Sequence, residues 1–156
     1  MKTYRPTTPS KRHQTTVPYR HVLTKSEPTK SLTKGFKRSV GRNNQGRITT
    51  RHKGGGHKRL YRDVDFMYNK HDIPAKITSI EYDPNRNAFI GLAVYADGEK
   101  RYVIVPKSIK VGDKFIVGEK APLTVANRIP LKLIPVGTFV YNIEIKPQGG
   151  SKLVRS

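Results

Sequence analysis

The residues best suited to chemistry lie in one stretch from Gly41 to Arg62, GRNNQGRITTRHKGGGHKRLYR. It contains seven Lys or Arg, two His and five Gly, and no Asp or Glu. No periodic apolar face runs through it, so the pattern does not predict a packed helix or strand. Cations neutralise phosphate, and glycine lets the main chain approach a ligand closely. The composition favours backbone lying against a polyanion, with a solvated, disordered basic loop as the alternative.

Arginine supplies planar groups with several donors that can grip phosphate or stack on bases. Three consecutive glycines raise the entropy cost of ordering, which favours a close approach of the backbone to RNA phosphate or sugar. A hinge between this stretch and the next domain is the alternative reading of the glycines. The candidate RNA-binding residues of the stretch are Arg42, Asn43, Asn44, Arg47, Thr49, Thr50, Arg51, His52, Lys53, Gly54, Gly55, Gly56, His57, Lys58, Arg59 and Arg62.

Metal and cofactor sites are not predicted here. His52 and His57 flank KGGG without Cys or a nearby carboxylate, whereas zinc takes three or four protein ligands. The GGGHK segment lacks the Gly-Lys-Ser/Thr that ends a Walker P-loop. We therefore expect no cofactor, although Mg²⁺ bridging to RNA is compatible with the sequence.

Two carboxylate pairs could be proposed for acid–base work. Asp63 with Asp65, and Asp97 with Glu99, have the i, i+2 spacing that shares one face of a strand. Both pairs sit beside Arg or Lys and at predicted turns, so charge balance is the favoured interpretation. No Ser-His-Asp or Lys-centred nucleophile constellation is visible. The sequence predicts a protein that is not an enzyme.

The net charge of the chain limits the classes of molecule that it is expected to bind. The 156 residues include 31 Lys or Arg and 11 Asp or Glu, for a net charge of +20. Residues 1–62 hold 17 of the basic residues and a single acidic one, Glu27. Such a charge argues for a polyanionic partner, with RNA, DNA and an anionic membrane surface as candidates. We therefore interpret the chain as a cationic arm followed by a domain whose charge balance is nearly that of an ordinary protein.

Compartment signals are few. The absence of Cys excludes disulfides and suits a reducing compartment. The sequence contains no run of 18 apolar residues, so it predicts no transmembrane helix. The N-terminus lacks the apolar region of a secretory signal. An organellar transit peptide is harder to exclude, although Pro6, Pro9 and Pro18 interrupt any amphipathic helix there.

Residues 1–59 are predicted to form a basic, extended arm. Its first 40 residues carry scattered single hydrophobes, and we expect them to lack a core of their own. Tyr4, Tyr19 and Phe36 stand among positive charges, where they could stack on bases or pack on the neighbouring domain. Regular structure is expected to begin near Leu60.

Residues 60–125 predict an all-β, OB-fold-like barrel of five strands. The first strand, LYRDVDFMY, places Tyr61, Val64, Phe66 and Tyr68 inward. The continuous apolar run AFIGLAVYA is typical of a strand buried on both faces. DPNRN and Asp97-Gly98 are strong turn signals. The five predicted strands are Leu60–Tyr68, Ala75–Asp83, Ala88–Ala96, Glu99–Pro106 and the short KFIVG that follows Gly112-Asp113.

Residues 126–156 are predicted to be a linker and the beginning of a second β domain. GTFVYNIEIKP alternates cleanly, with Phe139, Tyr141, Ile143 and Ile145 on one face. One strand cannot build a barrel, so this domain is expected to be incomplete at Ser156. If unpaired, the strand would expose an apolar face, unless it docks onto the first barrel.

Five motifs in order resemble bacterial large-ribosomal-subunit protein two, the universal L-two family. They are GRNNQGRITTRHKGGGHKRLYR, YDPNR (Tyr82–Arg86), DGEKRYVIVPK (Asp97–Lys107), IPVGTFVYNIEIKP (Ile134–Pro147) and GGSKLVRS (Gly149–Ser156). The resemblance covers the chain from about Gly41 onward and is weak over the first 40 residues. It implies an N-terminal extension, an OB fold, an SH3-like barrel and a C-terminal extension, of which most of the SH3-like barrel and all of the C-terminal extension are absent here.

The resemblance also implies a function. Members of the family bind large-subunit rRNA and are associated with subunit assembly, subunit joining and the peptidyl-transferase region. Other ribosomal proteins and the small subunit are implied partners, with no membrane and no small-molecule substrate. A cytoplasmic ribosome is the expected location, with an organellar ribosome as the alternative. The family's histidine near the peptidyl-transferase centre has no counterpart in these residues.

Two arginines of the family fall on Arg86 and Arg155, which the resemblance makes RNA-binding. Arg101 and Lys152, within the same motifs, join the candidates. For Arg86, pairing with Asp83 to brace the turn is the alternative. The rival function is a free nucleic-acid chaperone or nucleoid protein with a basic arm, which composition alone does not separate from a ribosomal component.

Overall fold

Three long strands in the middle of the chain form the centre of the fold. The structure is a computed structural model and describes residues 1–155. Ala75–Glu81 is rich in β-branched residues, the DPNR turn follows it, and Asp97-Gly98 closes the next hairpin, where the Tyr95 N–H bonds to the Glu99 carbonyl at 2.9 Å. The strands are β1 (Lys2–Thr3), β2 (Thr15–Thr16), β3 (Thr33–Gly35), β4 (Leu60–Arg62), β5 (Ala75–Glu81), β6 (Ile90–Tyr95), β7 (Lys100–Ile104), β8 (Lys114–Phe115), β9 (Ile143–Glu144) and β10 (Ser151–Leu153).

Helical structure is short. The α-helices are α1 (Pro9–Arg12) and α2 (Tyr19–Val22), and 3₁₀ turns span Lys30–Leu32 and Leu131–Leu133. Among the helices of residues 1–155, none combines the length and the apolar character that crossing a membrane requires. The all-β prediction is confirmed.

The principal sheet has the order β7-β6-β5-β8 and is antiparallel throughout. It is curled into half a barrel, in agreement with the predicted OB-like class. The five-strand count is not met, because only the beginning of the first predicted strand is extended. That beginning, β4, pairs with β3, and Val64 alone bridges the sheet edge at Tyr102, in parallel.

Two apolar clusters cover opposite faces of this sheet, because successive side chains of a strand alternate between its faces. On β6, Ala93 and Tyr95 belong to one cluster, while Ile90 and Leu92 belong to the other. The prediction that this strand is buried on both faces is confirmed. Gly91 fits between its neighbours only without a side chain, since a Cβ there would lie 2.6 Å from Val105.

The onset of regular structure was predicted too late. Strand β3 precedes the expected start at Leu60 and pairs antiparallel with β4, so both ends of the intervening residues 36–59 are fixed. Further upstream, the Thr24 N–H donates to the Ile80 carbonyl at 3.0 Å, and the Ile80 N–H donates to Thr24 Oγ1 at 2.9 Å. No residue of 1–40 is buried, in agreement with the prediction that this segment has no core of its own.

The predicted strand GTFVYNIEIKP is wrong over most of its length. Asn142 adopts a positive φ of +58° and turns its side chain inward, where its Nδ2 donates to Tyr68 Oη at 3.1 Å. The extended conformation is therefore interrupted, and only β9 remains, paired with β10 across a bulge. Phe139 and Ile145, predicted on the shared apolar face, are exposed. The third predicted region extends to Ser156, which lies outside the described residues.

Candidate nucleic-acid interface

A 24-residue segment between paired strands, residues 36–59, carries most of the predicted binding residues and is called the basic loop below. Every residue from 42 to 59 is exposed. Within residues 1–155, no cation of the basic loop forms an ion pair, in contrast to several cations of the sheet. Their charge is therefore available to an external anion.

The N-terminal half of the basic loop is ordered by its own backbone. Asn43 Oδ1 accepts hydrogen bonds from the N–H groups of Gln45 at 3.0 Å and Arg47 at 2.9 Å. Arg42 and Ile48 form an antiparallel bridge, and the Thr49 N–H donates to the Gly41 carbonyl at 2.9 Å. Asn43, predicted as a binding residue, is thus the residue that closes this turn. Asx turns of this kind have a recognisable sequence signal in Asn and Gly, which the sequence interpretation did not use.

The glycine triplet does not behave as a unit. Only Gly56 has a positive φ, +61°, and a Cβ there would lie 3.0 Å from the Arg38 guanidinium. At Gly54 and Gly55 a Cβ would meet open space. A conformational need for glycine is therefore confined to Gly56.

Histidines in the basic loop gather no metal-ligand set. No group of three or more His, Asp or Glu suited to a metal ion is present in residues 1–155. His52 itself lies in the left-handed region, at φ +61°.

The DPNR turn holds Arg86 in one orientation. Asp83 is fully buried, and its Oδ2 accepts a hydrogen bond from Arg86 Nε at 2.5 Å. Its Oδ1 accepts from the Asn85 N–H at 2.9 Å. The pairing weighed as an alternative for Arg86 is present, and it leaves the guanidinium Nη groups free of hydrogen bonds within the described chain.

Arg86 and Arg155 converge on one aromatic ring. Their guanidinium carbons lie 5.5 Å and 4.7 Å from the centroid of Phe66. An open cleft of about 540 Å³ surrounds them, and among residues 1–155 its lining contains three cations and no carboxylate. This Phe66 cleft is lined by Tyr61, Phe66, Arg86, Lys152, Leu153, Val154 and Arg155. Three predicted residues, Arg86, Lys152 and Arg155, are thus brought together, whereas Phe66 was predicted only as an inward residue.

Two hydrogen bonds connect the end of the basic loop and the start of β4 to the DPNR turn. Arg59 Nη1 donates to the Pro84 carbonyl at 2.8 Å, and Asn85 Nδ2 donates to the Leu60 carbonyl at 3.1 Å. Both bonds clamp the DPNR turn to the point where the loop enters β4. Arg59, the last cation of the loop, is therefore held in a fixed relation to the turn that carries Arg86.

Two predicted residues lie elsewhere. Arg62 is buried and donates to the Leu60 carbonyl at 2.7 Å, so it does not share the exposure of the basic loop. Arg101 is engaged in ion pairs with Asp65 at 2.8 Å and Glu99 at 2.6 Å. Its hydrogen bond to Glu99, together with its bond to Asp65, outweighs desolvation and raises the Arg101 pKa. Both arginines are therefore engaged within the fold, unlike the cations of the basic loop, and their RNA-binding role stays a prediction.

Carboxylates proposed for acid–base work are all paired, as charge balance predicts. Lys70 bonds to both Asp97 and Glu99, and Lys34 pairs with Asp63 at 2.6 Å. The Arg101 bond and then the Lys70 bond lower the pKa of Glu99, and the Lys70 bond lowers that of Asp97.

A hydrogen-bonded polar network escaped the sequence interpretation. Tyr102 Oη donates to Glu81 Oε2 at 2.6 Å and accepts the Thr29 N–H at 2.7 Å. Ser79 donates to Glu81 Oε1 at 2.9 Å. Burial, and then the bond to Glu81, raises the Tyr102 pKa, so the phenol keeps the proton that this arrangement needs. The network attaches residue 29 of the arm to Tyr102 on the edge strand β7 and, through it, to Glu81 on β5.

Arg128 is a second connecting residue without a sequence signal. Its guanidinium lies 4.6 Å from the Tyr68 ring centroid and donates to Ser151 Oγ at 2.8 Å. It also pairs with Glu144 at 2.8 Å. Arg128 therefore joins the β9–β10 hairpin to the half-barrel.

Two of the three aromatic residues of the arm, Tyr19 and Phe36, pack on residues of the predicted domain 60–125, which was one of the two alternatives, whereas Tyr4 Oη bonds to Thr16 Oγ1 within the arm at 3.0 Å. Tyr19 meets Tyr82 edge-on, with ring centroids 5.5 Å apart. Phe36 lies 6.0 Å from Tyr61, the ring that also lines the cleft.

A curled antiparallel half-barrel with an exposed, unneutralised cationic loop places the chain among nucleic-acid-binding β proteins. Comparison with known families makes this specific. The family described as Ribosomal Proteins L2, RNA binding N-terminal domain, matches residues 29–117, more than half of the chain, and the chain belongs to this family. The match contains the basic loop, the DPNR turn and all four strands of the principal sheet, and it ends before Lys152 and Arg155. The resemblance stated from the five motifs is confirmed for this N-terminal portion, and with it an RNA-binding role in the ribosome.

Proposed function

We propose that the chain is a structural, non-enzymatic constituent of the large ribosomal subunit. It binds large-subunit rRNA through the basic loop and the Phe66 cleft, and so supports subunit assembly, subunit association and the peptidyl-transferase region. It contacts other ribosomal proteins and, across the subunit interface, the small subunit. It acts in cytoplasmic ribosomes without a resident cofactor, membrane or small-molecule substrate.

One observation carries this proposal: the clamped junction between two cationic sites. A flexible arm supplies only counter-charge, whereas the bonds from Arg59 to Pro84 and from Asn85 to Leu60 fix where the loop stands relative to Arg86. Fixed guanidinium groups can select one RNA shape, since RNA is recognised largely by shape and by splayed bases. The lack of ion pairs in the loop leaves its charge for phosphate.

Binding to rRNA tests the proposal. The full chain is titrated with large-subunit rRNA and with an unrelated RNA of equal length, over a series of salt concentrations. We expect tighter binding to the rRNA at every salt concentration, with similar salt slopes, because similar numbers of phosphates are neutralised. Equal affinity for both RNAs would contradict specific recognition.

A free nucleic-acid chaperone remains the rival function, and sedimentation separates the two. A ribosomal constituent co-migrates with the large subunit in high salt. A chaperone is released at moderate salt and recovered with DNA.

A further inference from the structure

The Phe66 cleft is assembled from two distant parts of the chain. Arg86 is fixed by the DPNR turn of the half-barrel, while Lys152 and Arg155 come from the β9–β10 hairpin and the residues after it. The cleft therefore has its full set of cations only when that hairpin is seated on the half-barrel.

The seat is a small contact at Gly150 and Ser151. The Ser151 N–H donates to the Phe66 carbonyl at 2.8 Å, and Ser151 itself is 2% exposed. Gly150 is buried with φ +73°, and a Cβ there would lie 2.7 Å from Met67 Sδ and 3.4 Å from the Phe66 carbonyl oxygen. Any side chain at position 150 is conformationally strained. Its Cβ would displace the flexible Met67 side chain, and a branched side chain such as Val would also press on the Phe66 main chain.

From this seat the backbone is fixed as far as Val154. Strand β10 pairs with β9, and the Asn142 N–H donates to the Val154 carbonyl at 2.9 Å. Arg155 follows directly, with its guanidinium over Phe66. The contact between Gly150 and the Phe66 turn therefore helps to place this guanidinium, together with the Arg128 bond to Ser151 and the Asn142 bond to Tyr68.

We propose that Gly150 is a positioning residue for RNA binding: by seating the hairpin against Phe66, it places Arg155 beside Arg86, so that one RNA segment is gripped by both. This inference rests on the proposed function, because it assumes that the cleft receives rRNA. Two guanidinium groups around one ring can hold a phosphate and an adjoining base together, which separate arginines cannot do.

Gly150→Val tests the proposal, with Gly137→Val as the matched control. Gly137 also has a positive φ, +92°, but a Cβ there meets nothing within 4 Å. The two variants share the strain of a branched residue at positive φ and differ in the clash with the seat. We expect Gly150→Val to weaken rRNA binding by roughly tenfold, the loss typical of one specific arginine contact, and Gly137→Val to bind as the parent does.

A second substitution distinguishes positioning from general damage. Arg155→Ala should weaken binding in the parent and in Gly137→Val, but should add nothing to Gly150→Val, since the guanidinium is already misplaced. Met67→Ala, which removes the clashing sulfur, should restore part of the affinity of Gly150→Val. Additive losses from Gly150→Val and Arg155→Ala would overturn the proposal.

Folding and the underlying function are checked separately. Circular dichroism and thermal unfolding establish that each variant is folded. If Gly150→Val does not fold, Gly150→Ala takes its place in the same cycle, with Gly137→Ala as control. If the parent shows no preference for rRNA, the proposed function fails. If the parent prefers rRNA and the folded Gly150 variant binds equally well, only the positioning role fails.

Discussion

Arg155 lies over the ring of Phe66, with its guanidinium carbon 4.7 Å from the ring centroid, and Arg86 approaches the same ring at 5.5 Å. The two arginines singled out by family resemblance are therefore neighbours in space. Sharing the half-buried ring of Phe66 by itself stabilises the fold only modestly, since each cation–π contact contributes about 0.5–1 kcal/mol. A common ligand gives the arrangement a reason.

Replacing Arg86 by Lys tests whether geometry or charge matters at the DPNR turn. Lysine keeps the positive charge but loses the planar fork that bonds Asp83 and faces Phe66. We expect Arg86→Lys to weaken binding to large-subunit rRNA by roughly tenfold and Lys11→Ala to have little effect. Affinities measured at one salt concentration decide the matter, and equal losses would reduce Arg86 to bulk charge.

The Asx turn in the basic loop gives a second prediction. Asn43 Oδ1 satisfies two backbone N–H groups, whereas its neighbour Asn44 makes no side-chain hydrogen bond in the described chain. Asn43→Ala should loosen residues 42–48 and weaken rRNA binding, because the arginines on this turn must then be ordered on binding. Gln45→Ala serves as the control, because Gln45 is not a candidate binding residue and only its backbone N–H takes part in the turn. If both variants bind alike, the preformed turn has no role in recognition.

Much of the half-barrel was predictable because its determinants are local. Apolar alternation fixed Ala75–Glu81 and Ile90–Tyr95 to within a few residues, and DPNR and Asp-Gly placed the turns. Strand β3 could not be found in this way, since its three residues, Thr33–Gly35, have no apolar pattern and owe their conformation to pairing with β4.

The candidate site was predictable in composition but not in geometry. The basic loop was identified because its many Lys and Arg residues and its lack of a periodic apolar face are visible in the sequence itself. Arg62 and Arg101 are arginines like those of the basic loop. However, Arg62 is buried, and Arg101 is paired with a carboxylate that only the fold brings close to it. The alternating pattern of GTFVYNIEIKP gave a wrong strand prediction, because the inward orientation of the Asn142 side chain depends on Tyr68, a partner distant in sequence.

Anchoring of the basic loop changes the expected proteolysis pattern. A wholly disordered arm would be cut throughout residues 1–59 in the free protein. Since Thr24 is bonded to Ile80 of the half-barrel and β3 is paired with β4, we expect trypsin to cut between residues 37 and 59 and to spare the bond after Lys34. Bound rRNA should protect the loop as well. Cleavage after Lys34 at the same rate as within the loop would show that the anchor does not hold.

Stability in alkali should depend on Tyr95. Burial, and then the charge of Asp65, raises its pKa from about 10 to about 12. Between pH 10 and 12 the folded state keeps the Tyr95 proton that the unfolded state loses. The contribution of Tyr95 to the free energy of unfolding is therefore complete below pH 10 and is lost as the pH rises from 10 to 12. Its hydroxyl has no hydrogen-bond partner in the described chain. Tyr95→Phe should therefore be near neutral at pH 7 and should flatten the decline in unfolding free energy above pH 10, as denaturant titrations at several pH values would show.

Unlike Tyr95→Phe, Tyr102→Phe should lower the free energy of unfolding at neutral pH. Its hydroxyl donates to Oε2 of the buried Glu81 carboxylate and accepts the part-buried Thr29 N–H. Its removal leaves both of these atoms without that partner, although Ser79 still donates to Glu81 Oε1. Such losses cost about 1–3 kcal/mol, against near neutrality for the partnerless hydroxyl of Tyr95. Because Thr29 belongs to the arm, the residues around it should also become more accessible. We expect a lower denaturant midpoint for Tyr102→Phe than for Tyr95→Phe, and faster amide exchange at Thr29 and Leu32 with little change at Ala93. Equal midpoints for the two variants would mean that the Glu81 network does not hold the arm to the sheet.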